Sequence, residues 1–262
     1  MRSQALFPSV SQEAAHYESF YLKACDPAGG RAVWIRHTVH KRLGSEPTAA
    51  VWMTYFDDSL GAPRAAKRQM GGDALSTPDG SYIRIAESEI GPGWARGSVE
   101  VEGTAATWGL RFADRHDALM HLPKEWMYRA RLPRTKLLSP HPGAVFDGTF
   151  ELDGERIEVS AWPGIVGHNW GAEHAERWVW MHATGFEGGG PTDYLDIAAG
   201  RVRLGPVTTP WIANGRLVLD GAEHRIGGVA RSLRGTIRAR PQGCEVRLAG
   251  DGVRLEGGTM VP

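Results

Sequence analysis

Turn signals recur along the whole chain at intervals too short for helices, and that spacing decides the fold class. The 262 residues include 34 glycines and 16 prolines, clustered at reversals such as Asp26-Pro27-Ala28-Gly29-Gly30, Gly91-Pro92-Gly93, Glu102-Gly103, Asn214-Gly215, Gly227-Gly228, Pro241-Gln242-Gly243 and Gly250-Asp251-Gly252. Glycine supplies the positive φ that tight turns need, and proline pre-sets the neighbouring geometry. Between these signals lie short segments that alternate apolar and polar residues, the mark of half-buried strands. No stretch supports a helix longer than about two turns. The pattern predicts an all-β chain of antiparallel sandwiches or barrels.

Strands are expected over residues 17–25, 31–40, 50–56 and 64–70. A meander follows over 82–90, 93–102 and 104–112, then a strand over 126–131. Residues 132–150 hold three prolines and two glycines and read as an extended crossing segment. A hairpin turns at Asp153-Gly154, between 146–150 and 156–162. Strands recur after the glycine-rich loop at 188–190, so two β domains in tandem are expected, 1–187 and 188–262. The last strand ends as an open edge, a hazard that proteins usually cover. Either residues 1–15 cover it, or a second copy does, as a homodimer, or the second barrel is incomplete.

Charge excludes some partners. Thirty basic residues balance thirty acidic ones, and no basic stripe marks a nucleic-acid surface. No apolar run reaches membrane-spanning length. The N-terminus has no apolar core of a signal peptide, and Cys25 and Cys244 cannot form a disulfide framework. A cytoplasmic protein without a cofactor is expected. His168, His174 and His182 are six and eight residues apart, with neither a His-X-His pair nor a HExxH motif, so no metal centre is expected.

Chemistry concentrates in 166–186, VGHNWGAEHAERWVWMHATGF. Residues 168–176 read as a polar corner and 177–186 as a strand carrying Trp178, Trp180 and His182 on one face. Glu173 or His174, between Trp170 and Trp178, has the surroundings of a tuned acid. Indoles desolvate a carboxyl and raise its pKa. They also stabilise cationic intermediates. Asn169 is placed to orient a carbonyl or a water. The competing reading makes 168–174 a structural corner. Trp34, Trp52, Tyr55, Trp108 and Trp180, turned inward, would line an apolar ligand pocket or fill a solid core.

The 18–39 segment ESFYLKACDPAGGRAVWIRHTV, the crossing PRTKLLSPHPGAVFDG and the HNWG…W.W stretch together resemble the lipocalin-like superfamily of hydroxyneurosporene synthase (carotenoid 1,2-hydratase), tocopherol cyclase and AttH-like proteins. The resemblance implies tandem lipocalin-like barrels around a hydrophobic ligand. It also implies acid-initiated hydration or cyclisation of an isoprenoid or polyketide-like substrate. His168, Asn169 and Trp170 match most clearly, followed by Trp178 and Trp180. Glu173, His174 and His168 are then the catalytic candidates. Asn169, Trp170, Trp178, Trp180, His182, Trp34, Trp52, Tyr55 and Trp108 are the substrate-binding ones. A non-catalytic carrier of apolar ligands is the alternative.

Overall fold

The computed structural model describes residues 3–11, 13–172, 176–204 and 206–260. The regular structure is nearly all strand. In order these are β1 (His16–Cys25), β2 (Arg31–Lys41), β3 (Thr48–Asp57), β4 (Arg64–Gly71), β5 (Leu75–Ser76), β6 (Ile83–Ile85), β7 (Ser88–Gly91), β8 (Trp94–Val101) and β9 (Thr104–Ala113). Then come β10 (Leu119–Met120), β11 (Thr135–Leu152), β12 (Glu155–Gly171), β13 (Arg177–Thr184), β14 (Tyr194–Arg201), β15 (Arg203–Leu204) and β16 (Val207–Thr208). The chain closes with β17 (Ile212–Leu219), β18 (Ala222–Gly227), β19 (Thr236–Arg240), β20 (Gly243–Ala249) and β21 (Arg254–Met260). One short helix, α1, spans Val229–Ser232.

Two compact units divide the chain: Met1–Ala118 with Leu138–Glu173, and Leu119–Leu137 with His174–Pro262. The sequence placed a single cut at 187/188. It missed that residues 119–137 belong with the C-terminal half, because tertiary bonds hold them there. Arg225 donates to the Met120 carbonyl at 2.8 Å, and His121 meets Asp196 at 3.3 Å.

The first unit is an antiparallel sheet in the order β4-β3-β2-β1-β12-β11-β9-β8-β7-β6-β5, curled so that β4 lies against β8. Alternation along each strand fills its interior: Phe20 and Leu22, Val33 and Ile35, Val51 and Met53, Trp108 and Leu110, Phe146 and Phe150. Burying each large apolar side chain contributes about 1.5–3 kcal/mol. The alternation slips once, on β12. Ile157 and Val159 point inward; Ala161 takes φ 52; beyond it the inward set is Trp162, Val166, His168 and Trp170. The inserted residue acts as a bulge, which re-aims the side chains beyond it.

The second unit packs the sheet β13-β14-β17-β18 on the sheet β19-β20-β21, beside the small β15-β16 pair. Ile197, Ala199, Ala213 and Ile226 meet Ile237, Val246 and Leu248 in its core. This is a sandwich of short sheets rather than a closed barrel.

Several local expectations are corrected. Residues 126–131 form no strand; Glu125–Tyr128 is a 3-10 turn. Residues 82–90 make the hairpin of β6 and β7, not one strand. The Asn214-Gly215 pair lies inside β17, where Gly215 lets the Asp196 backbone approach; an added Cβ would sit 2.2 Å from that carbonyl. The crossing segment is mostly strand, since β11 begins at Thr135. The 168–176 corner starts late, because residues up to Gly171 pair with β1. Among the described residues no helix is long and apolar enough to cross a membrane.

Candidate functional site

Adjacent strands bring a buried ion network to one end of the first unit. On β1, His16 and Glu18 share the inward face, two residues apart. Register places Phe20 opposite His168 on β12. Glu18 is fully buried and every oxygen is used. Its Oε1 accepts from Leu6 N and His168 Nε2, each at 2.8 Å. Its Oε2 accepts from Phe7 N at 2.8 Å, Leu6 N at 3.0 Å and His16 Nε2 at 3.2 Å. Burial alone would push this carboxyl up. The bonds from His16 and His168, with the Leu6 amide, outweigh burial and hold it at about 2.

His168 is set between rings: Phe20 lies 3.9 Å away and nearly parallel, Trp170 at 4.3 Å. Its Nδ1 meets Ser3 Oγ at 3.2 Å. Burial lowers its pKa, and Glu18 opposes that pull. The stack continues from Phe20 to Tyr82 at 5.7 Å, and the Tyr82 hydroxyl meets His141 Nε2 at 3.0 Å.

His16 is the member of this network that reaches open space. It lines a cavity of about 590 Å³ with Phe7, Val10, Val39, Leu43 and Pro47 as apolar wall. Glu13, Lys41 and Glu46 add charge to the lining. Glu18 engages Nε2, which leaves Nδ1 as the nitrogen available to a ligand. Lys41 is only 9 % exposed and its ammonium donates to the Ser11 carbonyl. The arrangement is an imidazole held and oriented by a buried carboxylate, beside an ammonium, in a space of ligand size.

The opposite face of the same strands gathers three of the expected binding residues. Trp34 and Trp52 share a face as expected, but it is the outer face: Val33, Ile35, Val51 and Met53 take the interior. Asn169 joins them, opposite Ser19. Tyr21 lies flat over Gly167, where an added Cβ would come within 2.1 Å of its ring. Arg36 stands at the centre of this face, paired with Trp52 and Tyr21 by register.

The other sequence candidates scatter. Glu173 and His174 lie outside the described residues. Tyr55 and Trp108 fill the interior, as expected, but neither lines the cavity. Tyr55 donates to Asp57 at 3.1 Å, and Trp108 Nε1 has no hydrogen-bond partner. Trp178, Trp180 and His182 sit in the second unit. Trp178 is 63 % exposed, so it packs against no wall. The core face of β13 is instead the one with Val179, Met181 and Ala183. Trp180 donates to the buried Asp196 at 3.0 Å and stacks on His182 at 6.0 Å. Sequence reasoning missed His16, Glu18 and Lys41. The His-Tyr-Glu spacing, which puts imidazole and carboxylate on one strand face, was the available signal.

No family model matches the chain. Two uncharacterised proteins of Mycobacterium tuberculosis, from strains CDC 1551 / Oshkosh and H37Rv, are 27% identical over 257 residues, or 95% of this chain and 73% of theirs. A crystal structure from Nitrosomonas europaea, assigned provisionally as AttH, aligns with a TM-score of 0.54 at 14% identity, over 94% of this chain and 81% of that one. That likeness shows a shared fold, in keeping with the all-β architecture above. Kievitone hydratase from Nectria haematococca aligns at a TM-score of 0.45 and 8% identity, over 94% and 87% of the two chains. A likeness that weak carries no argument.

Proposed function

We propose that the protein is a hydratase-type enzyme acting on an apolar, oxygen-bearing substrate in the cavity beside His16. The observation that carries this reading is the His16–Glu18 pair at the wall of a 590 Å³ space. Glu18 is ionised and accepts from Nε2, so His16 offers the lone pair of Nδ1 as a general base. In the proposed step His16 takes a proton from water as the water oxygen bonds to the β-carbon of a conjugated double bond. The electron pair moves to the carbonyl oxygen, where the Lys41 ammonium offsets its charge. The imidazolium then returns the proton to the α-carbon. Internal attack by a substrate hydroxyl in place of water would give cyclisation by the same groups.

This chemistry differs from protonation of an isolated isoprenoid alkene. That reaction needs a strong, protonated acid against the double bond. Glu18 at about 2 is already ionised near neutrality, and an imidazolium or ammonium is too weak an acid. A polyketide-like skeleton with a conjugated carbonyl therefore suits the site better than a plain isoprenoid. The test is incubation with a panel of apolar α,β-unsaturated ketones in ¹⁸O-labelled water, read by mass spectrometry. The expected result is a product heavier by one labelled water, made by the wild type and lost in His16→Ala. Tight binding with no product would favour the carrier alternative.

A further inference from the structure

The outer face of β1, β2 and β12 carries a guanidinium with no counter-ion. Arg36 Nε donates to Ser19 Oγ at 2.8 Å, and Nη2 donates to the Tyr17 hydroxyl. Its carbon lies 5.6 Å from the Trp34 ring centre and 5.8 Å from that of Tyr17. No carboxylate pairs with it among the described residues, whereas Arg31, Arg64, Arg68 and Arg96 each have one. Burial pushes its pKa down to about 10, with no opposing charge. A guanidinium fork out of water normally meets a carboxylate or phosphate.

Two neighbours on the same face are also unmatched. Trp34 Nε1 and Asn169 Oδ1 are both buried and neither has a hydrogen-bond partner. Buried polar atoms are rarely left so, and each such atom calls for a ligand or a cost of about 1–3 kcal/mol. Trp52, by contrast, is satisfied: its Nε1 donates to Thr38 Oγ1 at 3.0 Å. The face thus offers a guanidinium with N–H groups to spare and no carboxylate, Arg36, one unmatched donor, Trp34, one unmatched acceptor, Asn169, and flat rings from Trp34, Trp52 and Tyr21.

We infer that this face is a binding site for a planar hydroxy acid. Its carboxylate meets the free side of the Arg36 fork and the Trp34 N–H, and its hydroxyl donates to the Asn169 carboxamide oxygen. The ring body lies along the indoles. The site is separate from the His16 cavity on the inner face and does not depend on the hydratase reading.

Calorimetric titration of the full chain with 4-hydroxybenzoate tests it. 4-Hydroxybenzyl alcohol, which lacks the charge, should bind at least about tenfold more weakly, the worth of one charge-assisted bond. Arg36→Gln should weaken 4-hydroxybenzoate about 30-fold. Trp34→Phe and Asn169→Leu should each weaken it about fivefold, and His16→Ala should leave it unchanged. No binding of 4-hydroxybenzoate by the wild type would overturn the proposal. So would equal affinity for acid and alcohol, or unchanged affinity in Trp34→Phe and Asn169→Leu, should Arg36→Gln not fold.

Discussion

Glu18 shows how much one side chain can organise. Its four donors come from three places in the chain: the amides of Leu6 and Phe7, and the rings of His16 and His168. Its folded pKa of about 2 lies below the ordinary 4.5, so it stabilises the native state fully above pH ~4.5. That stability is lost as pH falls through 2. Glu18→Gln should lower unfolding free energy at neutral pH by roughly 3 kcal/mol, measured by urea denaturation. His37 has the opposite character. It is fully buried, and burial pushes its pKa from 6.5 to about 4 against the smaller opposing pull of the Ser88 backbone and Glu89. Between those values the unfolded chain takes up a proton that the native one does not, so stability falls as pH drops from 6.5 to 4. His37→Leu should flatten that part of the stability profile and cost little at pH 7. Only the His16–Glu18 spacing on β1 is legible in sequence: Glu18 and His168 are 150 residues apart, and an isolated histidine in an alternating strand says nothing about its partners.

Strands were the most legible elements, because alternation survives without tertiary knowledge. The first four appear within a few residues of where the pattern puts them. The HNWG stretch misled because Gly167, Gly171 and Asn169 are turn residues by composition. Their reason is close packing: Gly167 makes room for the Tyr21 ring, and β12 runs on to Gly171 against β1. Gly164 is the sharpest instance. A Cβ there would meet the Lys23 carbonyl at 1.9 Å, and backbone cannot yield as a flexible side chain can. Gly164→Ala should therefore part β12 from β1 and destabilise the first unit by roughly 3 kcal/mol, seen as a lowered melting temperature. The same shift from corner to strand decides the site. It turns His168 inward to Glu18 and Asn169 outward to the Arg36 face.

At the scale of the molecule, the all-β class followed from turn spacing. The grouping of residues 119–137 with the C-terminal half did not, because they are held there by His121 and Arg225 rather than by any local pattern. The acid–base chemistry proposed for the first unit rests on His16 and Glu18 rather than on the Glu173 and His174 that the sequence suggested. Chemical rescue tests that account most directly. With a conjugated ketone as substrate, His16→Ala should lose about a thousandfold in kcat with substrate binding retained. Added imidazole should restore turnover saturably, entering the space left beside Glu18. Full activity in His16→Ala, or a loss that imidazole leaves untouched in a folded variant, would contradict the assignment of His16 as the base.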